Sequence, residues 1–376
     1  MRIVYCIAGT YNSGGMERVL SNKVNFLVAH GYDIIVITTD QRNQKSFFSL
    51  DSRVKCYDLN INYEENNGKS FFNKLLHYPI KQYKHKKRLS ALLKQLKPDI
   101  TVSMFCNEVS FLPEIQDGSK KVLEIHFCRF KRLQYNRKGL WRLADTWRSR
   151  DEQKIVSHYD RFVTLTNEDN KYWGNIANSL VIPNAQTFRC ADRAVLNQKK
   201  VIAVGRYTYQ KGFDLLIHAW KIVAQQRPDW KLSIVGDGEL REYLDNLIKE
   251  EQLQHSVELS PVTTNIEQIY KDASILVMSS RYEGFGMVLL EAQTVGLPTI
   301  SFDCKCGPSE IIVNGENGYL IEEGDIEGMA QRVLQLIENE ALRKRMGENA
   351  YNNALRFSED VVMSKWERLF KEVVYG

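Results

Sequence analysis

The chain reads as two α/β domains, each a doubly wound parallel sheet wrapped by helices. Three observations lead there. Short apolar, β-branched runs alternate with amphipathic stretches along the whole length of 376 residues. Thirteen such runs are too many for one comfortable open sheet. The balance of charge also changes near Pro183-Asn184.

In the first half the strand-like runs are 3–7, 34–38, 54–59, 100–105, 122–127, 162–166 and 180–182. In the second half they are 201–204, 232–235, 257–259, 275–278, 299–302 and 319–321. Helical periodicity fills many of the intervals, as at 16–29, 214–226 and 240–251. A last helix over 359–374 carries an apolar stripe through Val362, Trp366, Leu369, Phe370 and Val373. The expected boundaries are 1–184 for the first domain and 185–357 for the second, with 358–376 free to pack on either. In such folds ligands sit outside the carboxyl ends of the strands, so the two domains are expected to face one another across a cleft.

Composition narrows the function. At 43% hydrophobic and 26% charged residues, the chain suits a soluble globular protein, and no apolar run reaches membrane-spanning length. It opens on a strand, with no signal-peptide pattern. Seven scattered cysteines suggest reduced thiols and a cytosolic setting. Residues 1–184 hold 29 Lys and Arg against 18 Asp and Glu, a balance of +11, whereas the remainder stands at −6. An anionic partner or surface is therefore expected for the first half.

The chemistry-bearing residues cluster where strands end. Glu283 and Glu291 stand eight positions apart around Gly284, Phe285, Gly286, Met287 and Val288. A helix starting near Gly284 would present unpaired N–H groups to a phosphate, with the carboxylates accepting hydroxyl hydrogens on either side. Fully helical, eight residues span roughly 12 Å, about the length of a nucleoside diphosphate sugar. Gly205-Arg206 and Lys211-Gly212 place two cations in one loop, a suitable diphosphate clamp. Gly236-Asp237-Gly238 makes a tight turn, and Gly9 to Glu17, with Gly14 and Gly15, would let a ligand approach the backbone. His126 ends the run 122–127 at the same edge. Gly68-Lys69-Ser70 lacks the first glycine of a phosphate loop, with Tyr63 in its place. No Asp-x-Asp, His-Glu-x-x-His or Gly-x-Ser-x-Gly occurs, and Cys304-x-Cys306 is too tight for the usual zinc or redox pair, so neither a metal nor a serine nucleophile is expected.

Taken in order, Gly14-Gly15-Met16-Glu17, Val181-Ile182-Pro183-Asn184, Gly205-Arg206 with Lys211-Gly212, Gly236-Asp237-Gly238, Glu283 through Glu291, and Gly315 to Gly318 resemble the group 1 retaining glycosyltransferases of family 4, with the GT-B fold. The resemblance implies catalytic roles for Glu283, Arg206, Lys211 and His126. Arg206 and Lys211 would neutralise the donor diphosphate, assisted by the backbone of 284–288. Glu283 would contact the donor sugar, Glu291 the ribose, and His126 would lie beside the sugar ring. Gly205 and Gly236 would shape the donor site, the loop with Pro261 and Val262 (261–264) would seat the base, and Gly14 and Gly15 would face donor phosphate or acceptor. The co-substrate implied is a UDP- or GDP-sugar, with no cofactor and no metal. The family's last helix crosses back to the first domain. Cys304-Lys305-Cys306 before Gly307-Pro308 departs from the family, where small residues are commoner.

Acceptor binding falls to the basic first half. Residues 74–97 hold eight Lys and Arg and no acid, among them Lys81, Lys84, Lys86, Lys87 and Arg88. Residues 129–150 hold another eight against Asp145, including Arg129, Lys131 and Arg132 beside Trp141. Basic stretches interleaved with aromatics suit an anionic membrane surface or a lipid diphosphate better than nucleic acid. The expected function is transfer of a sugar to a saccharide, lipid-linked acceptor for surface-polysaccharide assembly, at the inner face of the cell membrane. A nucleotide-sugar epimerase or sugar phosphorylase on the same plan, or a non-catalytic basic binding protein, is the alternative. Turnover of donor without acceptor would mark the epimerase, and salt-sensitive oligonucleotide binding the binder.

Overall fold

The computed structural model describes residues 1–66, 71–131, 140–174, 176–190, 192–263 and 265–376, leaving aside the side chains of 66, 71–76, 140–145, 147 and 148. Gly68-Lys69-Ser70, Arg132, Thr264 and the side chain of Trp141 thus lie outside the described set. The chain divides into two compact units, one of Met1–Pro183 with Val362–Gly376, the other of Asn184–Val361.

The first unit holds a seven-stranded sheet: β1 (Arg2–Ile7), β2 (Asp33–Thr38), β3 (Lys55–Asp58), β4 (Ile100–Ser103), β5 (Lys120–Glu124), β6 (Arg161–Thr164) and β7 (Ser179–Val181). Their spatial order is β3-β2-β1-β4-β5-β6-β7, parallel throughout. The order reverses between β1 and β4, the switch point at which doubly wound sheets bind ligands. Ile3, Val4, Ile34, Ile35, Ile100 and Val102 are fully buried, as strands covered on both faces require. β3 is the exception, with Lys55, Cys56 and Tyr57 exposed on the sheet's edge.

The second unit holds β8 (Lys200–Val204), β9 (Lys231–Val235), β10 (Val257–Ser260), β11 (Ile275–Met278), β12 (Thr299–Phe302) and β13 (Gly318–Ile321). These run β10-β9-β8-β11-β12-β13, again all parallel, with the switch between β8 and β11. The helix Phe213–Gln226 buries Phe213, Leu216, Ile217, Trp220 and Val223, one stripe at helical spacing. That stripe joins a core with Leu232, Ile234, Val277 and Met329. Among the described residues no helix is long and apolar enough to cross a membrane.

The final helix, Glu359–Tyr375, buries Val362, Met363, Trp366, Leu369, Phe370 and Val373. From Val362 onward it belongs to the first unit, and the Trp366 ring covers the Lys23 ammonium at 3.7 Å.

Candidate active site

In the second unit the switch point brings two loops together. The loop after β8 runs through Gly205 and Arg206 into a short 3-10 turn, Tyr209–Lys211, and ends at Gly212. The loop after β11 carries Ser279 to Gly286. Hydrogen bonds tie them: Arg281 N donates to Gln210 O at 2.8 Å, and the Gln210 side-chain Nε2 to Tyr282 O at 3.0 Å. The Ser279 hydroxyl donates to Lys211 O at 2.9 Å. Gly212 stands at φ 60°, and a Cβ there would lie 2.2 Å from Ser279 O. The apposition therefore depends on glycine twice, for the left-handed backbone and for the missing side chain.

The result is a direct ion pair. Lys211 Nζ lies 2.6 Å from Glu283 Oε1, with both side chains largely buried. Ser280 Oγ donates to the same oxygen at 2.6 Å. Glu283 Oε2 has no partner among the described residues, so one acceptor edge of the carboxylate stays open. The Lys211 stem passes over Gly205, whose added Cβ would come within 3.1 Å of Cδ and Cε. Gly236 packs still closer, since a Cβ there would meet Gly205 O at 1.9 Å. Arg206 is exposed.

The helix of the glutamate segment starts later than the sequence suggested. It spans Met287–Thr294, with Gly286 as its N-cap at φ 89°. Glu283, Gly284 and Phe285 form a non-helical turn instead, because the left-handed Gly286 interrupts the helical path. The span from Glu283 to Glu291 is thus not one helix. Phe285 is buried against Phe357, with ring centroids 5.7 Å apart, so it offers packing and backbone. Glu291 is half-buried, not enclosed by apolar neighbours: Thr187 Oγ1 donates to Oε1 at 2.8 Å and Tyr270 OH to Oε2 at 2.9 Å. Pro261 and Val262 are exposed beyond β10.

In the first unit, β5 ends at Glu124, and His126 lies two residues beyond it, outside the strand. His126 Nε2 is 3.0 Å from Glu124 Oε1, and Lys23 Nζ is 2.5 Å from Glu124 Oε2. Burial pushes the Glu124 carboxyl up, but Lys23 and His126 outweigh it and hold it at about 2. Gly14 caps the helix Gly15–Ala29, and Gly15 faces open space.

The basic residues divide. Lys81 is held by Asn62 O and Glu65, Lys86 by Glu114, and Arg88 by Leu59 O and Asn60 O, so these three staple the helix Phe71–Leu96 to its surroundings. Lys84 and Lys87 are exposed beside exposed Ile80 and Tyr83. Arg129 stacks on Trp173 at 4.6 Å, and Lys131 lies over Phe127 at 4.3 Å.

Several supporting residues carried little sequence signal. Ser280 lies three positions from Glu283. Thr187 and Tyr270 are 104 and 21 positions from Glu291, and Lys23 is 101 from Glu124. Only the folded sheet brings them together.

Known proteins share this plan. Residues 186–353 match the family model described as Glycosyl transferases group 1. An uncharacterized glycosyltransferase of Haemophilus influenzae is 30% identical over 97% of this chain and 99% of its own. The amylovoran biosynthesis glycosyltransferase AmsD of Erwinia amylovora is 29% identical over 97% of this chain and 98% of its own. The crystal structure of a Staphylococcus aureus TarM mutant with fondaparinux, α-GlcNAc-glycerol and UDP superposes with a TM-score of 0.78, at 18% identity, over 98% of this chain and 99% of that one. Near-complete coverage of a relative at 30% identity, with the family match across the second unit, identifies the chain as a member of the group 1 glycosyl transferases, with the GT-B fold.

Proposed function

We propose that this glycosyltransferase moves a sugar from a nucleoside diphosphate donor to a saccharide acceptor, with retention of anomeric configuration and without a metal, as in family 4. The observation that carries the reading is the Lys211–Glu283 pair at the β8/β11 switch point, with Glu283 Oε2 open beside it. Lys211 and Arg206 would bind the diphosphate, and the open edge of Glu283 would accept a sugar hydroxyl. Glu291 would take the ribose, and the exposed turn at Pro261 and Val262 the base. The N–H groups following Gly286 add positive potential for the phosphate.

In the reaction the C1–O bond to the diphosphate breaks and the acceptor oxygen bonds to C1 on the same face. The acceptor proton passes to a departing phosphate oxygen. Lys211 and Arg206 stabilise the charge that grows on the leaving group, which is electrostatic catalysis. The UDP and α-GlcNAc-glycerol bound to TarM support a UDP-sugar donor and an α-linked product. The role of AmsD in amylovoran biosynthesis supports a surface polysaccharide as the destination. Exposed Lys84 and Lys87 next to Ile80 and Tyr83 support a lipid-linked acceptor, met by peripheral binding to the inner, anionic membrane face.

A thermal-shift screen of UDP- and GDP-sugars tests the donor class, since a ligand bound only by the folded chain raises its melting temperature. Lys211→Ala should abolish both the shift and transfer in a folded protein. Full activity in that variant would refute the site.

A further inference from the structure

Just before Glu283 in the chain stands Arg281, whose side chain donor binding leaves without a task. Its guanidinium grips the other loop as a fork. Nη1 donates to Asp214 Oδ1 at 3.0 Å and Nη2 to Asp214 Oδ2 at 2.6 Å. Nη1 also donates to Tyr209 O at 2.8 Å, and the guanidinium lies 4.1 Å from the centre of the Tyr209 ring. The two charged side chains are 16% and 24% exposed, so salt and water screen them less than a surface pair. Tyr209 opens the 3-10 turn that carries Lys211, and Asp214 lies in the first turn of the helix that follows. One guanidinium thus holds the chain on both sides of Lys211. Only the planar, forked head of arginine can do so; a lysine ammonium is a point charge.

The chemistry of the site gives a reason for this second tie. Once a diphosphate claims the Lys211 ammonium and a sugar hydroxyl claims the Glu283 carboxylate, the Lys211–Glu283 pair loosens its own hold on the two loops. The Arg281–Asp214 pair spends its donors and both carboxylate oxygens on the loops themselves, so it holds them whatever Lys211 binds. The two residues are 67 positions apart, and the β8/β11 adjacency unites them. We infer that Arg281 and Asp214 are positioning residues, a clamp that keeps Lys211 where it meets the diphosphate of a nucleotide. The diphosphate half of this inference rests on the glycosyl-transfer reading; the clamp half rests on contacts within the second unit alone.

Titration calorimetry, with ligand-observed NMR where binding is weak, gives affinities for UDP and GDP and for uridine and guanosine. Arg281→Lys keeps the charge and loses the fork. The diphosphate that binds the wild type should bind this variant about tenfold more weakly, the scale of one lost hydrogen bond to a charged group, while its nucleoside binds as before. Equal losses for diphosphate and nucleoside would mean general loosening, and an unchanged diphosphate would mean that Lys211 needs no clamp. Either result overturns the positioning role. Asp214→Asn removes the charge from the other side and should give the same loss, and it carries the test should Arg281→Lys fail to fold. The double variant R281K/D214N should lose no more than either single one, since the pair acts as a unit; multiplied losses would overturn the pairing. Hydrogen exchange of the ligand-free protein tests the clamp by itself. The amides of Lys211, Gly212 and residue 281, which donate to Thr208 O, Tyr209 O and Gln210 O, should exchange faster in Arg281→Lys, while those of β8 and β11 keep their rates. Unchanged exchange at the three amides would overturn the clamp. Binding of neither diphosphate to the wild type would overturn the transfer reading and the diphosphate half together, while the exchange rates still decide the clamp.

Discussion

At the scale of single residues, the protein's buried carboxylates behave differently because their partners differ. Glu124 has a cation and is held at about 2, whereas Glu108, 1% exposed, is met by the Ser103 hydroxyl at 2.5 Å and by the backbone of Cys106 and of Glu108 itself. Burial pushes Glu108 up from 4.5 to about 7, against the weaker downward pull of Ser103 and of the backbone hydrogen bonds at Glu108 and Cys106. The folded chain therefore keeps a proton that the unfolded chain releases near pH 4.5, and stability falls as pH rises from there to about 7. The loss amounts to roughly 3 kcal/mol at most. Glu108→Gln should then melt higher than the wild type at pH 8 and match it at pH 5, in paired thermal melts at the two values; an equal gap at both would refute the assignment. Glu283→Gln addresses the proposed site. It keeps the shape but leaves Lys211 without its counter-charge, and kcat should fall by about 100-fold or more, the scale for losing one transition-state contact. Steady-state kinetics with the donor found by the thermal screen would measure it.

At the scale of elements, the strands were the most legible feature. All thirteen apolar runs coincide with β1 to β13, with ends shifted by no more than a few residues, since parallel strands covered on both faces must be continuously apolar, the exposed edge strand β3 excepted. The helix of the glutamate segment was misjudged at its start, because the left-handed backbone of Gly286 is a property of the folded turn that the letter Gly only permits. Lys211 and Glu283 were visible as residue types but not as a pair, for 72 positions separate them and the β8/β11 adjacency unites them. Gly212 holds that adjacency. In Gly212→Ala the Cβ would sit 2.2 Å from Ser279 O at a φ of 60°, so the loop after β8 must withdraw from the loop after β11. The left-handed backbone alone costs about 1–2 kcal/mol. The melting temperature should drop by several degrees and the affinity for the nucleotide sugar by about tenfold, on the reasoning that 1.4 kcal/mol is one decade. Calorimetric titration alongside a melt would show it, and unchanged affinity would mean that the loop apposition does not matter to binding.

At the scale of the whole molecule, the C-terminal helix decides whether the first unit can stand. Its stripe was legible from the spacing of Val362, Trp366, Leu369, Phe370 and Val373, but a stripe does not say which surface it covers. The structure assigns the helix from Val362 onward to the first unit, more than 170 residues beyond that unit's last strand. Six buried apolar side chains at about 1.5–3 kcal/mol each give about 9–18 kcal/mol, an upper estimate because the unfolded chain already buries part of that surface. Whole domains are stable by only about 5–15 kcal/mol, so the helix is comparable to everything else that holds the first unit together. Its loss would also uncover the buried Lys23–Glu124 pair that Trp366 shields. A chain ended at Phe357 should therefore keep a second unit that resists trypsin, because that unit's core cluster draws on residues from Val201 to Met346. Its first unit should be cleaved rapidly and lose cooperative melting. Peptide mapping of limited digests would separate the two units, and a first unit as resistant as in the full chain would show that the sheet carries its own stability without the helix.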